Sequence, residues 1–246
     1  MQKLSDRKVC LIDADSLLYF EMGKDTLEEA IEGLNERVLS ILETCDTDSY
    51  LGYLTEGKCF RYDIYPEYKA RRKLSVKNEI FFQLRDYSIE TLKFRSVKKL
   101  EADDVVSFLG NNYENTVICS PDKDVLKQCS GVHYNYQKAE YVTTTTEDVQ
   151  RFLWVQTLMG DSTDNIKGIP GVGVKTAENW VKNRDKNIEG FVLNKYIEYY
   201  KDSHTGIVEF YKNYLLVKLT KTESELLDIG VSIDDIPKDV CVLTRD

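Results

Sequence analysis

The sequence predicts an α/β protein, a mostly parallel sheet flanked by helices, that runs into a mainly helical second half. Two apolar runs, KVCLI at residues 8 to 12 and TVIC at 116 to 119, have the uninterrupted character of strands buried on both faces. Segments with helical spacing of apolar residues alternate with such runs, which is the order that builds a parallel sheet. From about residue 146 helical periodicity takes over.

In chain order, the first run ends on Asp13, and TLEEAIEGLNERVLSILETC (26 to 45) follows as a helix. SYLGYL (49 to 54) is strand-like. The stretch from 67 to 100 is rich in basic residues and is expected as a long, partly helical excursion. EADDVVSFLGNNY (101 to 113) is helical again, and TVIC ends just before Asp122. A soft boundary separates residues 1–145, the α/β domain with its basic excursion at about 67–100, from residues 146–246. The second region opens with the helix TEDVQRFLWVQTLMG, turns at GIPGVG (168 to 173) and continues through VKTAENWVKN into further helices. In open α/β sheets ligands bind beyond the carboxyl ends of the strands, where this reading gathers the acids.

A chain of 246 residues with 42% apolar and 30% charged residues can bury a sizeable core. No apolar run approaches a bilayer span and the N-terminus lacks the pattern of a signal peptide, so no membrane association and a cytoplasmic location are expected, the host cytoplasm if the chain is phage-encoded. The six cysteines form no C-x-x-C pair and are expected reduced and mostly buried. With two histidines, zinc sites and Ser-His-Asp triads have little material, and a metal site would use oxygen. The net charge of −9 argues against general attraction to nucleic acid, but an average hides a basic groove beside an acidic centre.

The acids come in groups: Asp13 and Asp15; Glu101, Asp103 and Asp104; Asp122 and Asp124; Asp161 and Asp164. Glu101 and Asp104 share a helix face, as do Asp161 and Asp164 if their segment is helical. Asp122 and Asp124 point the same way in extended backbone. One such pair alone is an ordinary helix cap or solvated face. Four groups together repel unless cations neutralise them, and all-oxygen ligands suit Mg2+ or Mn2+. Two ions about 4 Å apart would clamp a phosphodiester. In GDSTDNIKGIPGVGVKTA (160 to 177) the glycines at 168, 171 and 173 and Lys175 form a turn between helices like a helix-hairpin-helix, where backbone N–H groups approach a phosphate. A bare Gly-Pro-Gly turn is usually only a turn. Lys58, Arg61, Lys69, Arg71, Arg72, Lys73 and Lys77, with Tyr62, Tyr65 and Tyr68 among them, supply charge for phosphates and rings for unpaired bases.

LIDADSLLY, YPEYKARR, EADD, SPDKDVLKQ and GDSTDNIKGIPGVGVKTA, in that order over about residues 9 to 180, resemble the successive motifs of the 5′-3′ exonuclease and flap-endonuclease family, especially its stand-alone bacteriophage and bacterial members. The resemblance implies a PIN-like nuclease domain with a helical arch and a helix-hairpin-helix clamp at about 160–183. It implies a first metal on Asp13, Glu101, Asp103 and Asp104, and a second on Asp122, Asp124, Asp161 and Asp164, Mg2+ in both with Mn2+ as substitute. Lys69 and Arg72 match the family's basic pair at the scissile phosphate, with Tyr68 stacking on the terminal base. Arg71, Lys73, Lys77, Gly168, Gly171, Gly173 and Lys175 would bind DNA, and a K+ ion would sit at the hairpin. The implied substrate is DNA with a 5′ flap, a nick or a free 5′ end, and RNA primers in RNA–DNA hybrids are an added substrate. A polymerase or single-strand-binding protein would associate non-covalently. Two departures stand out. The strand-end Asp of the family is missing from YLTEGKCFR, where Glu56 is the candidate replacement, and the span from Arg72 to Glu101 is short for a full arch. Residues 185 to 246 are expected to pack on the hairpin and extend the duplex-binding face. A PIN-domain ribonuclease would lack the hairpin, and a non-catalytic DNA-binding relative would have lost some of the eight acids.

Overall fold

The computed structural model describes residues 2–70, 77–182, 184 and 187–243. The elements up to the second helical region are β1 (Gln2–Lys3), β2 (Val9–Asp13), α1 (Asp15–Glu21), α2 (Leu27–Thr44), β3 (Ser49–Tyr53), α3 (Arg61–Ile64), α4 (Glu79–Glu90), α5 (Ala102–Asn112), β4 (Tyr113–Glu114), β5 (Thr116–Cys119), α6 (Lys123–Gln128), β6 (Gly131–Asn135) and β7 (Glu140–Thr144). After them come α7 (Thr146–Met159), α8 (Val174–Val181), α9 (Ile188–Tyr200), α10 (Ser203–Val217), α11 (Glu223–Ile229) and β8 (Cys241–Val242). By its own contacts the chain divides into two units, Met1–Cys59, Leu74–Thr144 and Leu219–Asp246 in one, Phe60–Lys73 and Thr145–Lys218 in the other.

The first unit is built on a sheet of order β7-β6-β5-β2-β3-β8. β2 pairs in parallel with both β3 and β5, and β5 in parallel with β6, while the outer strands β7 and β8 run antiparallel. The central strand VCLID is buried along its whole length, as the uninterrupted apolar run predicts. Helix α2 starts where the Thr26 hydroxyl accepts the Glu29 N–H, and it buries Ala30, Leu34, Val38, Ile41 and Leu42 at helical spacing in the core of the sheet. The parallel order sends β2, β3 and β5 toward the same edge, so the residues after each strand meet there.

The second unit is helical. Its core holds Trp154, Leu158, Ile169, Ala177, Val181, Tyr196 and Phe210, with Trp154 stacked on Phe210 and Tyr214. The Thr145–Asp148 capping box starts α7.

This division differs from two consecutive stretches meeting at 145/146, for identifiable reasons. Residues 219–246 return to the α/β unit, where β8 extends the sheet beside β3 and the Tyr53 hydroxyl donates to the Pro237 carbonyl at 2.5 Å. Residues 185 to 246 are therefore divided between the two units. The basic excursion at about 67–100 is divided between the units too, and Arg61, just ahead of it, is anchored in the helical unit. Only 2% exposed, Arg61 donates to the carbonyls of Leu216 (3.0 Å) and Lys218 (2.8 Å), so it is a structural cation and not part of a DNA path. No helix among the described residues is long and apolar enough to cross a membrane.

Candidate active site

In the α/β unit the carboxylates collect at the C-terminal edge of the parallel strands. Asp13 ends β2, and its Oδ2 accepts the Ser120 hydroxyl at 2.8 Å from the residue that follows β5. Asp15 Oδ1 accepts the Thr55 N–H at 3.0 Å just beyond β3, and the Thr55 hydroxyl accepts the Ala102 N–H at 3.0 Å at the start of α5. That chain of bonds fixes the helix carrying Glu101, Asp103 and Asp104 against the strand ends. Carboxylate oxygens of these three residues all lie within 4.8 Å of one another. Such a set of hard oxygen donors fits a divalent cation of the Mg2+ type, and the acids sit at the positive end of α5.

Asp104 is fully buried, and its Oδ1 accepts both the N–H (3.1 Å) and the hydroxyl (3.3 Å) of Thr220 while its Oδ2 accepts the Glu101 N–H at 3.3 Å. Those bonds hold the carboxylate by which α5 fixes Glu101. Thr220→Val keeps the shape and removes one donor. It is expected to weaken divalent-ion binding at this group roughly tenfold, the size typical of losing an outer partner of a metal site. Ion affinity unchanged from the parent in a direct titration would contradict this.

Asp122 has the extended backbone expected of it (φ −74°, ψ 127°), and Asp124 falls in the first turn of the helix it leads into. Asp122 caps α6, its Oδ1 accepting the Asp124 N–H at 2.7 Å, and its own N–H donates to Ser120 Oγ at 3.0 Å. Burial, then the Asp15 charge, and more weakly Asp122, push the Asp13 carboxyl up to about 7, against the pull of the Ser120 hydrogen bond. The folded chain therefore holds a proton that the unfolded chain, with an ordinary carboxyl near 4, has lost. Without metal, this group's contribution to stability is complete below pH about 4 and is lost as pH rises toward 7. In EDTA, Asp13→Asn is expected to melt higher than the parent at pH 8, with the gap closing by pH 4–5. A constant gap would refute the burial argument.

In the helical unit the loop after α7 carries the remaining acids, and it is a turn, so the condition under which Asp161 and Asp164 would share a helix face is not met. Asp161 and Ile166 exchange backbone hydrogen bonds at 2.9 and 2.8 Å, which closes the loop, and Asp161 Oδ1 accepts the Thr163 N–H at 2.8 Å. Asp164 faces the segment 65–69: its carbonyl accepts the Lys69 N–H at 2.8 Å and its Oδ2 accepts the Tyr68 hydroxyl at 3.2 Å. The Asn165 amide adds a bond to the Glu67 carbonyl at 2.8 Å. Lys69 takes a left-handed φ of 58°, a backbone cost of about 1–2 kcal/mol that these bonds sustain. Its ammonium lies 4.9 Å from the Tyr68 ring centre.

Three expected roles change. Tyr68 is 3% exposed and packs edge-on to Tyr62, so it has no free face for a terminal base. Gly168 does not offer its N–H to a phosphate, because that N–H donates to Asn213 Oδ1 at 3.0 Å inside the unit. Glu56 is exposed and accepts the Ser96 hydroxyl at 2.6 Å, apart from the group formed by Glu101, Asp103 and Asp104. Gly171, Gly173 and Lys175 are exposed, as is Lys77, whose ammonium lies over Phe81. Arg71, Arg72 and Lys73 lie outside the described residues.

The model of the 5′-3′ exonuclease N-terminal resolvase-like domain matches residues 8–152, more than half of the chain. The chain belongs to the 5′-3′ exonuclease family. The 5′-3′ exonuclease of Buchnera aphidicola subsp. Schizaphis graminum is 28% identical over 199 residues, covering 70% of this chain and 68% of its own length. That of Buchnera aphidicola subsp. Acyrthosiphon pisum is 33% identical over 154 residues, 56% of this chain and 53% of its own. DNA polymerase I of Bacillus subtilis matches 80% of this chain at 27% identity, but the match spans only 26% of the polymerase. In fold, this 5′-3′ exonuclease family member is similar to the bacteriophage T5 flap endonuclease, solved with DNA and metal ions (TM-score 0.71, 19% identity, 91% of this chain and 92% of that one).

Within the family frame, the residues missed in the sequence are the supporting ones. Ser120 stands inside the quoted motif SPDKDVLKQ, directly after a strand, and its position was the available signal. Tyr136, whose hydroxyl donates to the Asp13 carbonyl at 2.6 Å, and Thr220 carry no local signal, since each reaches the site only through the fold.

Proposed function

We propose that the protein is a divalent-metal-dependent, structure-specific 5′ nuclease that hydrolyses DNA phosphodiester bonds at 5′ flaps, nicks and free 5′ ends in replication or repair. The observation that carries this reading is the cluster of Glu101, Asp103 and Asp104 on a helix start tied to the carboxyl edge of the parallel sheet, where Asp13 ends the central strand. We assign these four, with Asp122 and Asp124, to divalent-ion binding, two Mg2+ with Mn2+ as substitute. Asp104 serves through its hold on Glu101. When bound, the ions supply Lewis acidity toward a water and a phosphodiester oxygen. For the helical unit we propose that Asp161 and Asp164 serve as further ligands, and that Lys69 and Arg72 stabilise charge developing on the scissile phosphate.

The hairpin is proposed to grip duplex DNA through Gly171, Gly173 and Lys175, with Arg71, Lys73 and Lys77 adding phosphate contacts. Exposed glycines at 171 and 173, with nothing within 4 Å of where a Cβ would stand, support a close backbone approach there. K+ at the hairpin, action on the RNA strand of hybrids, and non-covalent partnership with a polymerase or single-strand-binding protein belong to the same proposal. The bacteriophage T5 enzyme of like fold was solved with DNA and metal ions, which supports the assignment of both.

The test is cleavage of end-labelled 5′-flap, nicked and single-stranded DNA with Mg2+ or with EDTA. Cutting that requires the metal and falls near the flap junction is expected. Tight junction binding with no cutting under Mg2+ or Mn2+ would make the protein a binding module instead.

A further inference from the structure

Three cysteines distant in sequence converge in the α/β unit, and none of them has a role in the site described above. Cys10 lies within β2 and Cys119 ends β5, while Cys45 is the residue that ends α2. In the β2–β5 register Cys10 stands opposite Val117 and Ile12 opposite Cys119, so both cysteines share one face of the sheet. The third arrives from the helix packed on that face. All three sulfurs lie within 4.8 Å of one another, Cys45 and Cys119 at 3.8 Å, and none of the residues is more than 1% exposed.

This spacing is that of a metal-thiolate triangle. A metal–sulfur bond of about 2.3 Å puts the corners of a trigonal site about 4 Å apart, so the trio meets an ion with side-chain adjustments of well under 1 Å per sulfur. The donor set also selects the ion. Thiolates are soft, which excludes Mg2+ and Ca2+, and structural zinc is almost always four-coordinate. Among the described residues no histidine, carboxylate or fourth cysteine joins the group. Soft ions content with three sulfurs remain, and the biological one is cuprous copper.

We propose that Cys10, Cys45 and Cys119 form a buried trigonal thiolate site for one cuprous ion. Each metal–sulfur bond replaces an S–H bond whose proton leaves to solvent, and copper stays Cu(I), so no electron is transferred. Hydrogen bonding with Cys10 and Cys119 pulls the Cys45 thiol below its ordinary range, whereas burial pushes the Cys119 thiol well up. The Lys8 ammonium, 2.9 Å from the Cys45 carbonyl, places a positive charge beside the anionic complex. Bound there, the ion ties β2, β5 and the end of α2 together, and it stabilises the strands that lead to Asp13 and Ser120 without touching them.

The test is anaerobic refolding of the whole chain with a cuprous complex of a competing chelator, followed by metal analysis and X-ray absorption. One copper per chain with three sulfur neighbours at about 2.3 Å is expected. Cys241→Ser, outside the trio, should retain it, and Cys45→Ser should hold it at least tenfold more weakly while keeping the parent circular dichroism. Wild type that yields all copper to the chelator, or a Cys45→Ser chain that binds equally well, would overturn the site. Should Cys45→Ser fail to fold, the sulfur count on the wild type decides alone, and two sulfurs would reject the triangle.

Discussion

Asp13→Asn is expected to cut 5′-flap DNA at least ~10³-fold more slowly than the parent at saturating Mg2+, a loss of about 4 kcal/mol of transition-state stabilisation. The substitution is nearly isosteric, and an amide oxygen still accepts the Ser120 hydroxyl that the carboxylate accepts at 2.8 Å. What disappears is the charge, and with it an anionic oxygen donor at the end of the central strand. A purely structural role predicts the reverse pattern. Because burial and neighbouring acids make the Asp13 charge unfavourable without metal, removing it should stabilise the empty protein while it abolishes cleavage. Flap-DNA affinity measured in Ca2+ should stay within about threefold, since the proposed phosphate contacts by lysines and the hairpin do not involve Asp13. A variant that cuts within tenfold of the parent would remove Asp13 from the chemistry and leave Glu101 and Asp103 as its carriers.

The same crowding of charge makes the site legible in the sequence while its support is not. The acids proposed to bind metal are legible because repelling charges recur in groups beside strand ends: Asp13 closes VCLID, Asp122 follows TVIC, and Glu101 opens a helix with Asp103 and Asp104. The parallel strands were legible for the same kind of reason, since burial on both faces writes an unbroken apolar run. The outer strands were not. β6 and β7 carry half-polar sequences such as GVHYN and EYVTT, whose exposed face breaks the signal, and β8 is two residues held at the sheet edge by long-range pairing.

The errors follow physical lines too. Asp161 and Asp164 have helical spacing, yet Gly160 takes a φ of +73° and ends α7 just before them, so the helical condition on their pairing fails. Arg61 and Tyr68 read as surface chemistry because Arg and Tyr usually are exposed at their polar ends. Each instead satisfies partners inside the helical unit, Arg61 two carbonyls and Tyr68 the Asp164 carboxylate. Thr220 stands 116 residues from Asp104, and no local pattern encodes that meeting.

The glycines of the hairpin separate structure from DNA contact, and two substitutions distinguish them. Gly168→Ala is expected to destabilise the chain by about 4 kcal/mol or more, the range reserved for changes that backbone cannot absorb. Gly168 has a φ of +59°, and an added Cβ would stand 2.3 Å from the Met159 carbonyl carbon, 2.4 Å from the Gly160 nitrogen and 2.6 Å from the Leu158 oxygen. All three are backbone atoms, so relief requires pulling apart the end of α7, whose Leu158 packs with Ile169 in the core. Thermal unfolding would register the loss, and DNA cleavage would fall with the folded fraction. Gly173→Ala should behave in the opposite way. Its φ of −95° suits any residue and nothing lies within 4 Å of the new methyl, so stability should shift by less than about 0.5 kcal/mol. If phosphate approaches the backbone at the start of α8, that methyl occupies the approach, and flap-DNA affinity should drop about tenfold at fixed salt while the melting temperature holds. Unchanged affinity in Gly173→Ala would leave the hairpin a folding turn, and duplex binding would then rest on the lysines.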